Sequence, residues 1–244
     1  MNKDFPGNHA QFELDQKVQA EAAYQNLGDH SKSYLESYAR LSTLQAWNAY
    51  IFAGTMPQKV FNFFIEAQND ALISHLLARQ GMWRPSLQSL RSCLENVLVC
   101  HYYLDHLVEL RLWERGEHKI GFSELKTYFE MHPDFKKITD SNLIGLVQLK
   151  AEYSELSKSV HGSSFFMGDN DNMPNVYIPD MAKLGQWTTR HKNTIKALNL
   201  FMLTFHREKL LGTAYPAMRK SLAGIFSTKT ISQIKTEYKV TLRT

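Results

Sequence analysis

Apolar side chains recur at three- and four-residue steps along most of the chain, which is the period of an amphipathic helix. The clearest runs predict long helices over residues 33–52, 58–79, 86–105, 141–161 and 184–211. Glycine and proline are few and fall mostly between these runs, where helices begin or end. No segment predicts a strand with any strength. The pattern therefore predicts an all-α helical bundle with long antiparallel helices.

Shorter segments flank and connect the long helices. Residues 1–13 are expected to form a loose arm, and residues 14–26 a short polar helix. Two further short helices are predicted at 106–115 and 122–131. Residues 162–183 have no period, which predicts a long loop with exposed aromatic side chains, and a loop of this length in a compact domain is usually functional or disordered.

These elements divide the chain into three segments: an N-terminal arm with a short helix (1–32), a helical bundle (33–212) and a basic helical tail (213–244). The net charge of +4 is unevenly distributed, because the chain from Arg207 onward carries +6 and the remainder carries −2. A basic tail is typical of a protein with an anionic partner, and a solvated helix face is the alternative interpretation.

Composition favours a globular protein. With 43% hydrophobic and 12% aromatic residues in 244, a packed core is expected. Cys93 and Cys100 lie seven residues apart in one predicted helix, and about 10 Å of rise is too much for a disulfide. Both are expected to be free thiols. No apolar run approaches the roughly 18 residues of a membrane span, and no signal-peptide core is present, so a cytoplasmic location is expected.

Several kinds of cofactor site are not indicated. The sequence has no Glu-x-x-His pair for a di-iron bundle, no zinc-type cysteine cluster and no glycine-rich phosphate loop. The run 169–172 opens like a calcium loop, but Met173 and Pro174 occupy positions that need a ligand and a glycine. No metal or cofactor is therefore expected. His101 and His191 lie on apolar stripes and are expected to be hydrogen-bonded core residues.

One pair of polar residues falls on a face that should be buried. In the helix 86–105, Arg91 and Glu95 are one turn apart on a mostly apolar surface. Burial of an arginine is costly unless it is paired, so Glu95 is its natural partner. Donors of the guanidinium would remain for a second acceptor or for a phosphate.

A second set of polar residues lies at the end of the helix 141–161. Tyr153, Ser157 and His161 follow one another at four-residue steps on one face. In the last turn, the helix dipole favours protonated histidine by ~0.3–1 kcal/mol. This placement suits His161 to donate a proton or to act as a cation near neutral pH.

If the two faces meet, they form a pocket that needs no metal. Arg91 would bind a phosphodiester, His161 would act as general acid and base, and Glu95 would orient one of them. Substrate hydrogen bonds are expected from three further residues: Tyr153, Ser157 and Lys158. A buried polar network that only sets the register of the helices is the alternative.

Two stretches of the chain resemble a bacterial group of HEPN-like helical proteins. Members share an R-x-x-x-E helix, matched here by Arg91 and Glu95 within residues 71–106, and an S-x-x-x-H helix end, matched by Ser157 and His161 within 152–162. The resemblance covers about residues 60–165. It implies a compact, commonly dimeric helical bundle. Many HEPN proteins are metal-independent RNases of toxin–antitoxin, abortive-infection or CRISPR-linked systems, and others are inactive binding modules.

The sequence departs from the pattern of active HEPN RNases, which carry an arginine and a histidine with four to six residues between them in one helix. No arginine stands at the matching positions before His161, since residues 154–157 are Ser154, Glu155, Leu156 and Ser157. Arg111 and His118 have the required spacing and form an alternative motif. However, about one such match is expected by chance, and Gly116 disfavours an unbroken helix between them.

The resemblance implies an effector or toxin of a bacterial anti-phage or toxin–antitoxin system, homodimeric and acting on RNA. Two other functions stay open. One is a non-catalytic interaction subunit that binds a partner protein encoded nearby, and the other is a ligand sensor that uses the same pocket.

Overall fold

A computed structural model describes residues 4–28, 30–161 and 176–242, and every regular element in these ranges is a helix. A π-helical turn, Asn48–Phe52, extends the second helix, and a 3₁₀ turn, Arg207–Leu210, extends the tenth. The helices are α1 (Phe5–Gly28), α2 (Ser31–Trp47), α3 (Gln58–Ala78), α4 (Trp83–Asp105), α5 (Leu107–Glu114), α6 (Phe122–Met131), α7 (Pro133–Lys136), α8 (Ser141–Ile144), α9 (Leu146–Ser157), α10 (Met181–His206), α11 (Pro216–Ala223) and α12 (Thr228–Tyr238). The predicted all-α class is confirmed.

Helices α4 and α10 occupy the centre of the molecule. α3 and α4 form the most extensive helix pair, and α10 packs against α2, α4, α8 and α9. Both central helices bury side chains on several faces, as helices in the middle of a bundle do. Trp47, Trp187, Phe64 and Phe201 are among the largest fully buried side chains. One continuous core results, on which the polar clusters described below are mounted.

The single helix predicted over residues 141–161 is wrong, because Gly145 divides it into α8 and α9. Gly145 has φ +79°, a left-handed conformation that favours glycine. A Cβ at this position would also overlap the backbone of α10 at Ala197 and Phe201. The break therefore results from the close approach of α10, which the local sequence pattern does not reveal.

The loose arm predicted for residues 1–13 is also wrong from Phe5 onward, since α1 is a continuous 24-residue helix. Its composition of alanine, glutamine, glutamate and lysine favours helix, and Pro6 lies in the first turn, where proline is tolerated. Ala23 near its C-terminus is fully buried, whereas most of its remaining residues are exposed.

The basic C-terminal segment is helical, as predicted, with two short helices, but it belongs to the core. Met218, Leu222 and Ile234 are fully buried. Arg219 is only 3% exposed, and its guanidinium donates to the backbone carbonyls of Ala214, Thr241 and Leu210. At least one basic residue of the tail is therefore structural and does not face solvent.

Other expectations have mixed outcomes. Cys93 and Cys100 are both free, as predicted, and both are buried. None of the helices in the described ranges has both the length and the apolar composition that a bilayer span requires. Of the predicted loop 162–183, residues 176–180 are non-helical and α10 begins at Met181. Phe165, Phe166, the run 169–172 and Gly162 lie outside the described residues.

Candidate functional site

The two helices that carry the polar motifs pack directly against each other. Nη2 of Arg91 in α4 donates to the phenol oxygen of Tyr153 in α9 at 2.6 Å. Two turns earlier on α4, Nε of Arg84 donates to the carbonyl of Ser159 at 2.8 Å, and Gln88 donates to the same oxygen at 3.0 Å. The bonds from Arg84 and Gln88 satisfy the Ser159 carbonyl, which lies in the turn that ends α9 and has no donor within the helix.

Arg91, Glu95 and Tyr153 form a compact cluster. Nη2 of Arg91 donates to Oε1 of Glu95 at 3.1 Å, so the pairing predicted from their four-residue spacing is present. The Arg91 side chain is only 17% exposed, and its Cζ lies 4.7 Å from the centre of the Tyr153 ring. Nε of Arg91 is buried and has no hydrogen-bond partner among the described residues. The cluster thus holds a partly buried cation whose buried Nε–H has no acceptor among the described residues.

The protonation state of Tyr153 follows from this environment. Burial raises the pKa of Tyr153, the hydrogen bond from Arg91 lowers it, and the carboxylate of Glu95 raises it again, with a net increase. Tyr153 therefore keeps its proton at neutral pH and acts as a hydrogen-bonding group, not as a base.

Phe122 completes the cluster from the opposite side. Its ring stacks on Tyr153 with a centroid distance of 3.6 Å and an interplanar angle of 2°. Phe122 is the first residue of α6, directly after Gly121, whose backbone N–H is capped by Glu124 at 2.9 Å. Sequence reasoning missed Phe122, because nothing in the local pattern indicates that α6 begins against α9. The Tyr153 ring is thus held between an aromatic ring and a guanidinium.

The remaining predicted residues of α9 and its end are engaged differently. The Ser157 hydroxyl donates to the carbonyl of Tyr153 at 2.7 Å, one helical turn back. Nζ of Lys158 lies 2.8 Å from Glu155 in an exposed ion pair. His161 is exposed, and its backbone N–H donates to the carbonyl of Ser157 at 3.1 Å. No contact between the His161 side chain and Arg91 or Glu95 occurs within the described part of the chain.

The order of the contacts shows where His161 lies relative to Arg91. Tyr153 meets α4 at Arg91, and Ser159 meets it at Arg84, so the residue order is reversed along the two helices. His161 follows Ser159 by two residues and thus lies towards the Arg84 end. Arg84 and Arg91 are seven residues apart on α4, which corresponds to a rise of about 10 Å along the helix axis. The structure therefore brings together Arg91, Glu95 and Tyr153 and leaves His161 about two helical turns away.

Arg111 and His118 do not share a helix. Arg111 is exposed in the last turn of α5, which ends at Glu114, and Gly116 then adopts φ +74°. His118 lies in the following loop, where Nδ1 is 3.2 Å from the hydroxyl of Tyr103.

Two further polar groups lie deeper in the bundle, one at His101 and one at His191. His101 and His191 are fully buried and hydrogen-bonded, which confirms their assignment to the core. Nδ1 of His191 accepts from Nε of Arg40 at 3.1 Å, and Arg40 is only 5% exposed, with Glu36 at 3.7 Å. Burial lowers the pKa of His191 well below its usual range, and the nearby charge of Arg40 adds to this effect. The sequence pattern did not single out Arg40.

Within the described ranges, no group of three or more histidine, cysteine, aspartate or glutamate side chains is arranged to hold a metal ion. Comparisons with protein-family models, with curated proteins and with solved structures found no match. The fold and the site define an all-helical protein with a half-buried arginine–carboxylate–phenol cluster, and the functional argument depends on that geometry.

Proposed function

We propose that the protein is a HEPN-like effector or toxin of a bacterial anti-phage or toxin–antitoxin system that cleaves RNA without a metal ion. In this proposal the bundle is HEPN-like, with α4 and α9 as an antiparallel pair, and the active protein is a homodimer.

One observation carries the proposal. The helix with the R-x-x-x-E motif packs directly against the helix with the S-x-x-x-H motif. Their contact is the Arg91–Tyr153 hydrogen bond, which joins residues 62 positions apart in the chain. A shared pocket requires the two helices to pack together. Neither motif on its own predicts that they do. The spare, partly buried donor of Arg91 supports a role in binding an anion, because a guanidinium with an unused N–H retains capacity for an acceptor.

Each residue has a chemical role in the proposed reaction. Arg91 binds a phosphate oxygen and stabilises the charge that develops on it. Glu95 holds Arg91 in position, and His161 removes a proton from the 2′-hydroxyl and returns one to the leaving oxygen. Tyr153, Ser157 and Lys158 contribute substrate hydrogen bonds. Because about 10 Å of rise separates the levels of Arg91 and His161, the RNA must span both side chains, or the partner subunit must supply one of them.

The test is RNA cleavage by purified protein in the presence of EDTA. Cleavage that leaves 2′,3′-cyclic phosphate ends is expected, and Arg91→Ala and His161→Ala should each reduce the rate roughly 100-fold or more. Arg115→Ala is the matched control, since Arg115 is an exposed arginine outside the cluster. Arg111→Ala tests the alternative motif and should leave the rate unchanged.

Thermal unfolding of each variant separates catalytic loss from misfolding. The proposal is wrong if wild-type protein leaves every RNA intact, or if Arg91→Ala and His161→Ala keep full activity. Loss of activity that accompanies unfolding of both variants would instead assign the cluster a structural role.

A second function is a non-catalytic interaction subunit, and one observation favours it. Nη2 of Arg91 is already bonded to two partners within the chain, and His161 stands about two turns away. An internally satisfied cluster of this kind sets the register of packed helices. In that case the protein should leave RNA intact and should bind a protein encoded next to its own gene.

A further inference from the structure

A groove of about 410 Å³ lies between α2 and α3, at a different place from the Arg91 cluster on α4 and α9. Its volume is within the range of about 300–1,000 Å³ that is common for small-molecule sites. Leu44 is buried and Leu41 and Ile65 are half-buried, so these side chains form the floor. Tyr38, which is 63% exposed, lies at the rim. The groove thus offers an apolar floor and an aromatic ring.

Three carboxamide side chains form a hydrogen-bonded chain beside this floor, and two of them, Gln45 and Gln68, line the groove. Nδ2 of Asn48 donates to Oε1 of Gln68, and Nε2 of Gln68 donates to Oε1 of Gln45 at 3.0 Å. An amide that accepts a hydrogen bond becomes a better donor, so the chain strengthens the N–H groups of Gln45 at its end. Those N–H groups have no acceptor among the described residues and are available to a ligand.

The remaining polar groups of the groove are uncharged as well. Asn69 follows Gln68 on α3, is exposed and lines the groove, so its carbonyl oxygen can accept a hydrogen bond. None of the described residues that line the groove carries a charge. A charged ligand would therefore lose hydration without gaining an ion pair. A hydrocarbon would leave the amides of Gln45 and Asn69 without partners. The lining therefore suits an uncharged molecule that has both a donor and an acceptor.

The backbone marks the same end of the groove. Asn48, which begins the carboxamide chain, is also the first residue of the π-helical turn Asn48–Phe52 that extends α2. Single π-helical turns in α-helices are rare and occur frequently at functional sites. This feature of the backbone is independent of the shape of the groove, and it supports a binding role for the side chains next to it.

We propose that the groove binds an uncharged small molecule with a flat apolar body and a lactam or carboxamide edge. The carbonyl oxygen of that edge accepts from Gln45, and its N–H donates to the carbonyl oxygen of Asn69. A lactam carries its donor and its acceptor on neighbouring atoms, so one edge can serve amides on both helices. The Tyr38 ring packs against the apolar body. The inference does not depend on the proposed RNA cleavage, which uses a different site.

The volume of the groove sets the size of the ligand. A cavity of about 150 Å³ accommodates benzene, so at the same packing a groove of about 410 Å³ holds about 16 non-hydrogen atoms. Three fused rings with a lactam edge match this number. A ligand of this size should bind with a dissociation constant of about 0.3 mM or tighter.

The test uses phenanthridin-6(5H)-one, a tricyclic lactam of the expected size, in a ligand-observed NMR titration of the purified protein. The lactam should bind with the dissociation constant given above. Its N-methyl derivative has no donor and should bind about tenfold more weakly, because the Asn69 oxygen then has no partner. Phenanthrene-9-carboxylate, an anion of similar size, should bind at least tenfold more weakly, since no cation lines the groove.

Two substitutions locate the binding in the groove. Gln45→Leu removes the donor and Tyr38→Ser removes the aromatic wall, and each should weaken lactam binding about tenfold. Both residues are exposed, so the thermal midpoint should stay near that of wild type. Matched controls are Gln186→Leu and Phe12→Ser, at an exposed glutamine and an exposed aromatic residue outside the groove, and they should bind as wild type does.

Three results would overturn the proposal. The first is a wild-type protein that does not bind the lactam at millimolar concentration. The second is equal binding of the lactam, its N-methyl derivative and the carboxylate, which would show that the amides do not select the ligand. The third is lactam binding that neither Gln45→Leu nor Tyr38→Ser weakens, which would place the ligand elsewhere on the protein.

Discussion

A pair of buried histidines makes the stability of the bundle dependent on pH. Nδ1 of His101 lies 2.8 Å from the carbonyl of Val97, so it carries the proton, and Nε2 must accept from Nε2 of His206 at 3.1 Å. The rings are packed among the aromatic side chains of Phe52 and Phe201. Protonation of His101 would place two N–H groups against each other in an apolar site.

The size of the effect follows from the pKa of His101, which burial lowers from 6.5 to about 4. The unfolded chain binds a proton in this window and the folded chain does not, so stability is fully present above pH 6.5 and is lost as the pH falls towards 4. Between pH 7.5 and pH 5, His101 alone lowers the unfolding free energy by about 2 kcal/mol. The complete pKa change of His101 corresponds to about 3 kcal/mol. Burial also lowers the pKa of His206 and His191, which acts in the same direction.

Urea unfolding at several values between pH 7.5 and pH 5 measures the dependence. The double variant His101→Leu/His206→Leu should have a smaller loss of unfolding free energy over this range, since apolar replacement of both partners leaves neither unpaired. Subtracting the unfolding free energies of the two proteins at each pH removes the contributions of groups that both share. One such group is Glu152, whose raised pKa increases stability as the pH falls. His9→Gln, at a side chain that is 68% exposed, is the control. Equal pH dependence of wild type and double variant would refute the reasoning.

Three further predictions concern stability and reactivity. Gly145→Ala should lower the unfolding free energy by about 2 kcal/mol or more, because the new side chain strains a left-handed backbone and overlaps α10. Gly185→Ala, at a helical position with open space around it, should instead raise the unfolding free energy by about 1 kcal/mol. Equal effects of the two substitutions in urea unfolding would contradict this. Arg219→Met should cost about 3 kcal/mol, since three backbone carbonyls lose a charged donor, and a thermal midpoint equal to wild type would disprove the role. Cys93 and Cys100 should react with a thiol reagent only as fast as the protein unfolds, because burial raises both pKa values; rapid labelling of the native protein would count against this.

The local sequence determined much of the secondary structure and one contact of the site. Three- and four-residue spacing of apolar side chains located the long helices, because burial of one face requires that period. The Arg91–Glu95 pair was also predictable, since residues four apart on a helix are neighbours whatever surrounds them. The free state of Cys93 and Cys100 followed from the same helical geometry, because seven residues of rise hold them too far apart for a disulfide.

Only the tertiary structure decided how these helices meet. Gly145 breaks a helix because α10 passes against it, and Phe122 stacks on Tyr153 because α6 happens to begin there. Arg219 is a core residue although it belongs to the most basic part of the chain. In each case the partner is remote in sequence, and periodicity reports which face of a helix is buried, not which residue lies on the other side.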